Sequence, residues 1–268
     1  MKFMSTAASL AVASLSIVSL SIVSVCSQGN SPPSSGCGIN GPPSCKNTTI
    51  VSNLCCFEHP GGLLVLSQVW DTNPRTGPGN SFTIHGLWPD NCDTTFQQNC
   101  DPSRAYTNIG GLLAAQESSD TLAFMQNYWV DIDGNNEQAW EHAWATHGTC
   151  MSTLKPSCLP PNSETGAEAV MYFKTVVNLF QTLPTYTWLA NEGITPSSMK
   201  THILSTLVSA LQQQSGVIPA LDCSSGVLNQ IRWYFNLKGN VIDGVFIPID
   251  APTAGSCPSS GIRYVPKA

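Results

Sequence analysis

Eleven cysteines in 268 residues constrain this fold more than any other feature, and their parity is informative. Cys26 closes an N-terminal stretch, residues 7–25, built from Ala, Val, Leu, Ile and Ser without one charge and preceded by Lys2. That pattern reads as a secretory signal peptide over residues 1–27, removed on export. A membrane anchor is the rival reading, because the stretch approaches bilayer length. Ser and Ala dilute it and no basic cluster follows, which disfavours the anchor. Setting Cys26 aside leaves ten cysteines, able to close five disulfides in an oxidising compartment. None of the ten stands in C-x-x-C spacing, so staples are expected and metal ligation is not. Asn47-Thr48-Thr49 is a glycosylation sequon, consistent with export.

Hydrophobic residues make up 42% of the chain, enough for a packed core. Lys plus Arg number 11 against 17 Asp plus Glu, a net charge of −6. This is no polycation that coats nucleic acid by counterion release. A polyanionic ligand would need a few placed donors, aromatic stacking and imidazoles that charge at low pH.

Residues 28–44 are rich in Ser, Pro and Gly and read as an irregular arm. Residues 45–268 read as one domain. Within it, 62–70, 81–87, 230–237 and 245–249 read as strands, short apolar runs bounded by Gly, Pro and Asn. Residues 71–80 form a polar loop. Residues 109–116, 120–128, 137–146, 167–183 and 197–214 read as helices, the last opened by Pro196 and Ser197. The expected architecture is α+β, a central antiparallel sheet packed against several helices.

Three of the five histidines fall in two segments. Phe82-Thr83-Ile84-His85-Gly86-Leu87-Trp88-Pro89-Asp90 places one imidazole at the end of an apolar strand, where Gly86 and Pro89 are expected to turn the chain. Glu141-His142-Ala143-Trp144-Ala145-Thr146-His147-Gly148-Thr149-Cys150 places two on one helix. Histidine takes and gives protons near neutrality, so the group suggests acid-base chemistry. A spacing of five turns about 140° past a full helical turn, so His142 and His147 do not share a face as an i,i+4 pair would. Ala143 stands where a zincin needs glutamate, and no serine elbow is present. His59 and His202 sit in no constellation and read as structural. Trp140 and Trp144 read as core, and Trp88 as a contact for a base.

His85-Gly86-Leu87-Trp88-Pro89-Asp90 and His142-x-x-x-x-His147-Gly148-Thr149-Cys150 resemble the two active-site signatures of the ribonuclease T2 family, most closely its secreted fungal members. Cys55-Cys56-Phe57, Gln68-Val69-Trp70-Asp71 and residues 234–239 support the likeness, which runs from about Cys37 to the C-terminus. The resemblance implies a secreted, metal-free and cofactor-free endoribonuclease with little base preference and an acid optimum. It would cleave single-stranded RNA by transphosphorylation through a 2′,3′-cyclic phosphate. His85 and His147 would transfer protons, with acid and base unassigned, and His142 would bind phosphate as a cation. Trp88, Asp90, Phe96 and Gln68 would contact substrate. DNA lacks the attacking hydroxyl and would be inert. The implied disulfides are Cys37–Cys56, Cys45–Cys92, Cys55–Cys158, Cys100–Cys150 and Cys223–Cys257. A monomer is expected, free of membrane once the leader is cleaved, outside the cell or in a vacuole.

The family pattern also carries Glu and Lys in the second signature, where this chain has Ala143 and Thr146. Losing one placed electrostatic stabiliser costs about 10² to 10³-fold in rate. Glu141 is no substitute, since two residues along a helix reverse the side-chain direction. Two expectations follow: a slow ribonuclease, or a silent relative that binds RNA or serves in storage or interaction.

Overall fold

The computed structural model describes residues 36–47 and 51–267. The expected leader, the first part of the arm and Thr48-Thr49 of the sequon lie outside the described residues. From Gly36 to Lys46 the chain has no helix or strand, as its composition predicts. Ser44 ties this arm down: its hydroxyl donates to the Gly62 carbonyl at 2.5 Å and accepts from the Leu237 amide at 2.8 Å.

Among the described residues seven strands make one mixed sheet: β1 (Leu63–Val69), β2 (Thr83–Asp90), β3 (Thr201–His202), β4 (Ala220–Ser224), β5 (Val227–Lys238), β6 (Val245–Ile249) and β7 (Ile262–Arg263). The long β5 pairs antiparallel with β1 along one edge and with β4 and then β6 along the other. Its one link to β7 is parallel, at Val227 and Arg263. Around the sheet lie α1 (Ile109–Ala115), α2 (Ser119–Tyr128), α3 (Asn136–Thr146), α4 (Ala167–Gln181), α5 (Thr185–Asn191) and α6 (Leu204–Ser215). On α4, Val170, Phe173, Val176, Val177 and Phe180 repeat at helical spacing and are buried. They join Leu64, Leu66 and Leu87 from the sheet in the main core. Burying each such side chain stabilises the fold by about 1.5–3 kcal/mol. Leu63, Val65 and Tyr234 form a smaller cluster on the opposite face, with Trp88 packed against it. Among the described residues no helix is long and apolar enough to cross a membrane.

Several local expectations are corrected. Gly86 and Pro89 do not turn the chain: β2 runs through both, pairing Gly86 with Ser67 and Pro89 with Leu64. β2 is the sheet's outer strand, and there proline's missing N–H costs no ladder bond. The helix expected over 197–214 begins only at Leu204. Ser197 does cap a turn, its hydroxyl accepting from the Met199 and Lys200 amides, but Thr201–His202 then extends to pair with β7. The helix expected over 167–183 stops at Gln181, and α5 starts anew after Pro184. β4 and β7 escape sequence reading because both are short and owe their extension to partners, β4 to β5 and β7 to β3.

All five implied disulfides are present: Cys37–Cys56, Cys45–Cys92, Cys55–Cys158, Cys100–Cys150 and Cys223–Cys257. Two of them bracket the loop after β2, tying Cys92 to the arm and Cys100 to the turn after α3. Replacing both Cys100 and Cys150 by Ser should lower unfolding free energy by about 2–4 kcal/mol in urea titrations. Far-UV circular dichroism before unfolding should stay unchanged, because no strand or helix pairing depends on that bridge.

Candidate active site

The first histidine is delivered by an irregularity in β2. The ladder with β1 pairs Ser67 with Gly86 and then Gln68 with Ile84, so His85 is the extra residue of a β-bulge. In a regular strand positions 85 and 88 would face opposite ways. The bulge restores alternation beyond it and aims His85 to the same side as Trp88. Their rings meet edge to face at 5.2 Å between centroids, and Ser67 Oγ lies 3.5 Å from His85 Nδ1. Gly86 is required there, since a Cβ would come within 2.9 Å of Trp88 Nε1.

The other two imidazoles come from the end of α3. His147 is the helix's C-cap residue, and its departure from the helical path brings it round beside His142. The two rings lie 6.1 Å apart at 85° despite the unfavourable five-residue spacing. His147 also packs on Trp88 at 5.3 Å, so imidazoles from two different elements touch one indole. Gly148 is a second enforced glycine: any Cβ would run into the Trp144 ring. Trp144 is fully buried, donates Nε1–H to the Arg104 carbonyl at 2.6 Å, and lies under the Arg104 guanidinium.

His85, Trp88, His142 and His147 line a cleft of about 530 Å³, with Ala143, Asp71, Asn229 and Gln230 among its walls. Packing around the cleft dominates its electrostatics. Burial lowers the His147 pKa to about 4, and the neighbouring His142 and then His85 push it the same way. Burial also lowers His85, with Asp71 pulling its pKa up and His142 pushing it down. Burial raises Asp90 to about 6 against the opposing pull of Arg232. Burial thus favours the neutral form at both His85 and His147, while only His85 has a carboxylate, Asp71, drawing its pKa back up.

Asp90 ends β2 on the same face as Trp88, two residues on. A backbone bridge pairs it with Phe96, whose ring is 61% exposed beside the cleft strand. Gln68 is not brought to this group. It is fully buried on the other side of β1, donating Nε2–H to the Leu183 carbonyl at 3.1 Å and accepting from Thr185 Oγ1 at 2.6 Å. The polar neighbour that reaches the cleft residues is Ser67, itself fully buried, which accepts from Gln230 Nε2 at 2.6 Å and lies beside His85. Two polar residues inside the apolar run of β1 were the signal, but composition cannot say which parity faces the cleft. Asp71 is a further cleft carboxylate that sequence reading left without a role; Thr76 Oγ1 donates to it at 2.8 Å. Glu141 turns away and accepts from the Asn108 amide at 2.8 Å. Trp140 and Trp144 are core, as expected. His59 is exposed and His202 pairs in β3 with its Nε2 buried and unbonded; neither lines the cleft.

Three imidazoles, side chains able to accept and donate protons near neutrality, and one indole surround the open cleft. The sequence profile described as the ribonuclease T2 family matches residues 61–244. Ribonuclease Le2 of Lentinula edodes is 59% identical over 236 residues, covering 87% of this chain and 98% of its own length. Ribonuclease Trv of Hypocrea rufa is 49% identical over 234 residues, covering 87% and 99%. The crystal structure of Actibind, a T2 ribonuclease, superposes with a TM-score of 0.83 at 44% identity, covering 86% of this chain and 98% of that one. The chain belongs to the ribonuclease T2 family and is an endoribonuclease of that type.

Nitrogen-detected NMR titration should find His147 protonating at about pH 4. His142→Ala should move the His147 and His85 midpoints upward together, because it removes a positive charge that depresses both. Unmoved midpoints would contradict the electrostatic coupling across the cleft.

Proposed function

We propose that the chain cleaves single-stranded RNA by transphosphorylation, without metal or cofactor, at the cleft between β2 and the end of α3. The observation that carries this reading is the convergence of His85, His142 and His147 around Trp88. His147 is the base: with a pKa of about 4 it is neutral in mild acid and can accept the ribose 2′-hydroxyl proton. The freed oxygen attacks phosphorus, the bond to the 5′-oxygen breaks, and a 2′,3′-cyclic phosphate forms. His85 is the acid that protonates the departing oxygen. Asp71 opposes the loss of its proton, so it stays charged to higher pH than burial alone would permit. His142, exposed at the cleft, binds the phosphate as a cation. Trp88 stacks on a base, Asp90 hydrogen-bonds it and Phe96 covers its outer side. DNA offers no 2′-hydroxyl and is inert. The leader over residues 1–27 and the five disulfides support export of a monomer, outside the cell or into a vacuole.

The silent alternative rests on Ala143 and Thr146, both uncharged at the cleft end of α3. The retained pair His85 and His147 favours catalysis, since a binding protein needs neither proton donor nor acceptor. The deciding measurement is release of cyclic-phosphate ends from homopolymer RNA at about pH 4.5. Wild type should exceed His85→Ala and His147→Ala by about 10² to 10⁴-fold each. Equal background in all three would leave only the binding role.

The pH profile follows from the assigned states. The base must lose its proton, so kcat/KM rises through the His147 pKa of about 4. The acid must keep its proton, so kcat/KM falls through the His85 pKa, which lies below 6.5. A bell confined to mild acid is expected, and a plateau through neutrality would overturn the assignment. Ala143→Glu should raise kcat by about tenfold or more by restoring an acidic group against the phosphate. No gain would mean the charge lost at that position is made up elsewhere.

A further inference from the structure

Thr146 stands where the family pattern has lysine, and a hydroxyl cannot replace that charge. Its contacts point to a different use. Thr146 lies one helical turn after His142, and its Oγ1 is 3.3 Å from His142 Nδ1. The side chain is only 6% exposed, so its rotamer is held by packing. The same oxygen donates to Asn99 Oδ1 at 3.5 Å, while the Asn99 amide donates to the Thr146 carbonyl at 3.0 Å. Asn99 is itself fixed, with φ of 52° beside Cys100, whose disulfide reaches Cys150 four residues beyond Thr146.

A threonine hydroxyl has one proton and two acceptor lone pairs. Giving that proton to Asn99 leaves Oγ1 to meet His142 Nδ1 as an acceptor, an arrangement in which Nδ1 carries the hydrogen. The neutral ring then has its lone pair at Nε2, and charging the ring adds the second proton there. Nδ1 is turned toward the helix, and Nε2 is left for the cleft that His142 lines.

We propose that Thr146, held by Asn99, is a positioning residue that fixes the His142 ring and its tautomer so that Nε2–H is the group offered to the substrate phosphate. This rests on the reading of His142 as the phosphate-binding cation. The arrangement parallels the way a partner on one ring nitrogen sets the role of the other. It also separates the two positions at which the chain departs from the family pattern: Ala143 leaves a deficit, and Thr146 has acquired a contact.

The test compares the wild-type chain with Thr146→Val, Thr146→Ser and Asn99→Ala. Nitrogen-resolved NMR reads the His142 tautomer, titration with inorganic phosphate reads affinity, and a dinucleotide substrate gives kcat and KM separately. Wild type and Thr146→Ser should hold the Nδ1–H tautomer. Thr146→Val should lose it, with phosphate affinity about three- to tenfold weaker and KM raised by a similar factor, kcat changing less than about twofold. Asn99→Ala, which leaves Thr146 free to donate to Nδ1, should shift the ring toward Nε2–H even if Thr146→Val folds poorly. A Val variant with wild-type tautomer and phosphate affinity overturns the proposal. So does a Ser variant that behaves like Val, or a tautomer change without any change in phosphate binding. If the wild-type chain cleaves no RNA, the proposed function fails, while the tautomer and phosphate titrations still judge Thr146.

Discussion

The single extra residue in β2 determines where the cleft can be. Without the bulge, His85 would face the helical core that buries Ile84 and Leu87, and an imidazole there would be desolvated with no route to a ligand. With it, the imidazole stands on the polar side of the sheet, next to Ser67 and over the row that continues through Gln230 and Arg232 of β5. The register of three strands thereby becomes a catalytic coordinate. An outer strand can carry such a fault because only one of its edges is committed to a ladder. The same edge position accepts Pro89, so the segment from His85 to Asp90 tolerates two residues that would disrupt an inner strand.

Tryptophans complete the geometry from both sides. Trp88 occupies the space above Gly86 and touches both His85 and His147, while Trp144 occupies the space above Gly148 and anchors the end of α3. His85 and His147 are thus each followed by a glycine whose missing Cβ admits an indole. Arg104 then covers Trp144, giving its guanidinium to the Thr149 and Leu154 carbonyls at 2.6 and 3.1 Å. These bonds satisfy carbonyls just past the helix end, where the backbone would otherwise be unpaired in the core. The rigidity of His147 therefore comes from packing beneath it, and its ring is left free to face the cleft.

How far the sequence reveals this differs by element. The pairing of His85 with His147 was legible because chemistry restricts residue type, and the disulfides came with the family likeness. The strands of β1 and β5 were legible from their apolar runs. What could not be read was parity. Ser67 and Gln68 are adjacent polar residues in one strand, and a face assignment depends on a bulge that no local propensity encodes. Gln68 consequently serves the α4–α5 junction and Ser67 serves the cleft. His142 and His147 illustrate the same limit for helices, since angular spacing predicts separation only while the helix continues. Short strands such as β4 and β7 are the third case, because their extension is a property of their partners.

The cleft's electrostatics follow from crowding like-charged groups in a half-dry space. Burial makes His85 and His147 harder to charge, and the neighbouring His142 adds to the effect at both. Asp71 is the one anionic cleft residue that opposes this at His85, and it acts on His85 more than on His147 because the shifts of only the former include it. One carboxylate is thus the electrostatic difference between two chemically identical side chains, and the proposed division into acid and base draws on it. A lysine at position 146 would have added a further cation beside the same rings. Thr146 removes that repulsion and the attraction it would have offered to phosphate, so in the proposed mechanism the anion is left to His142. The orientation of that ring then matters more here than it would beside a second cation.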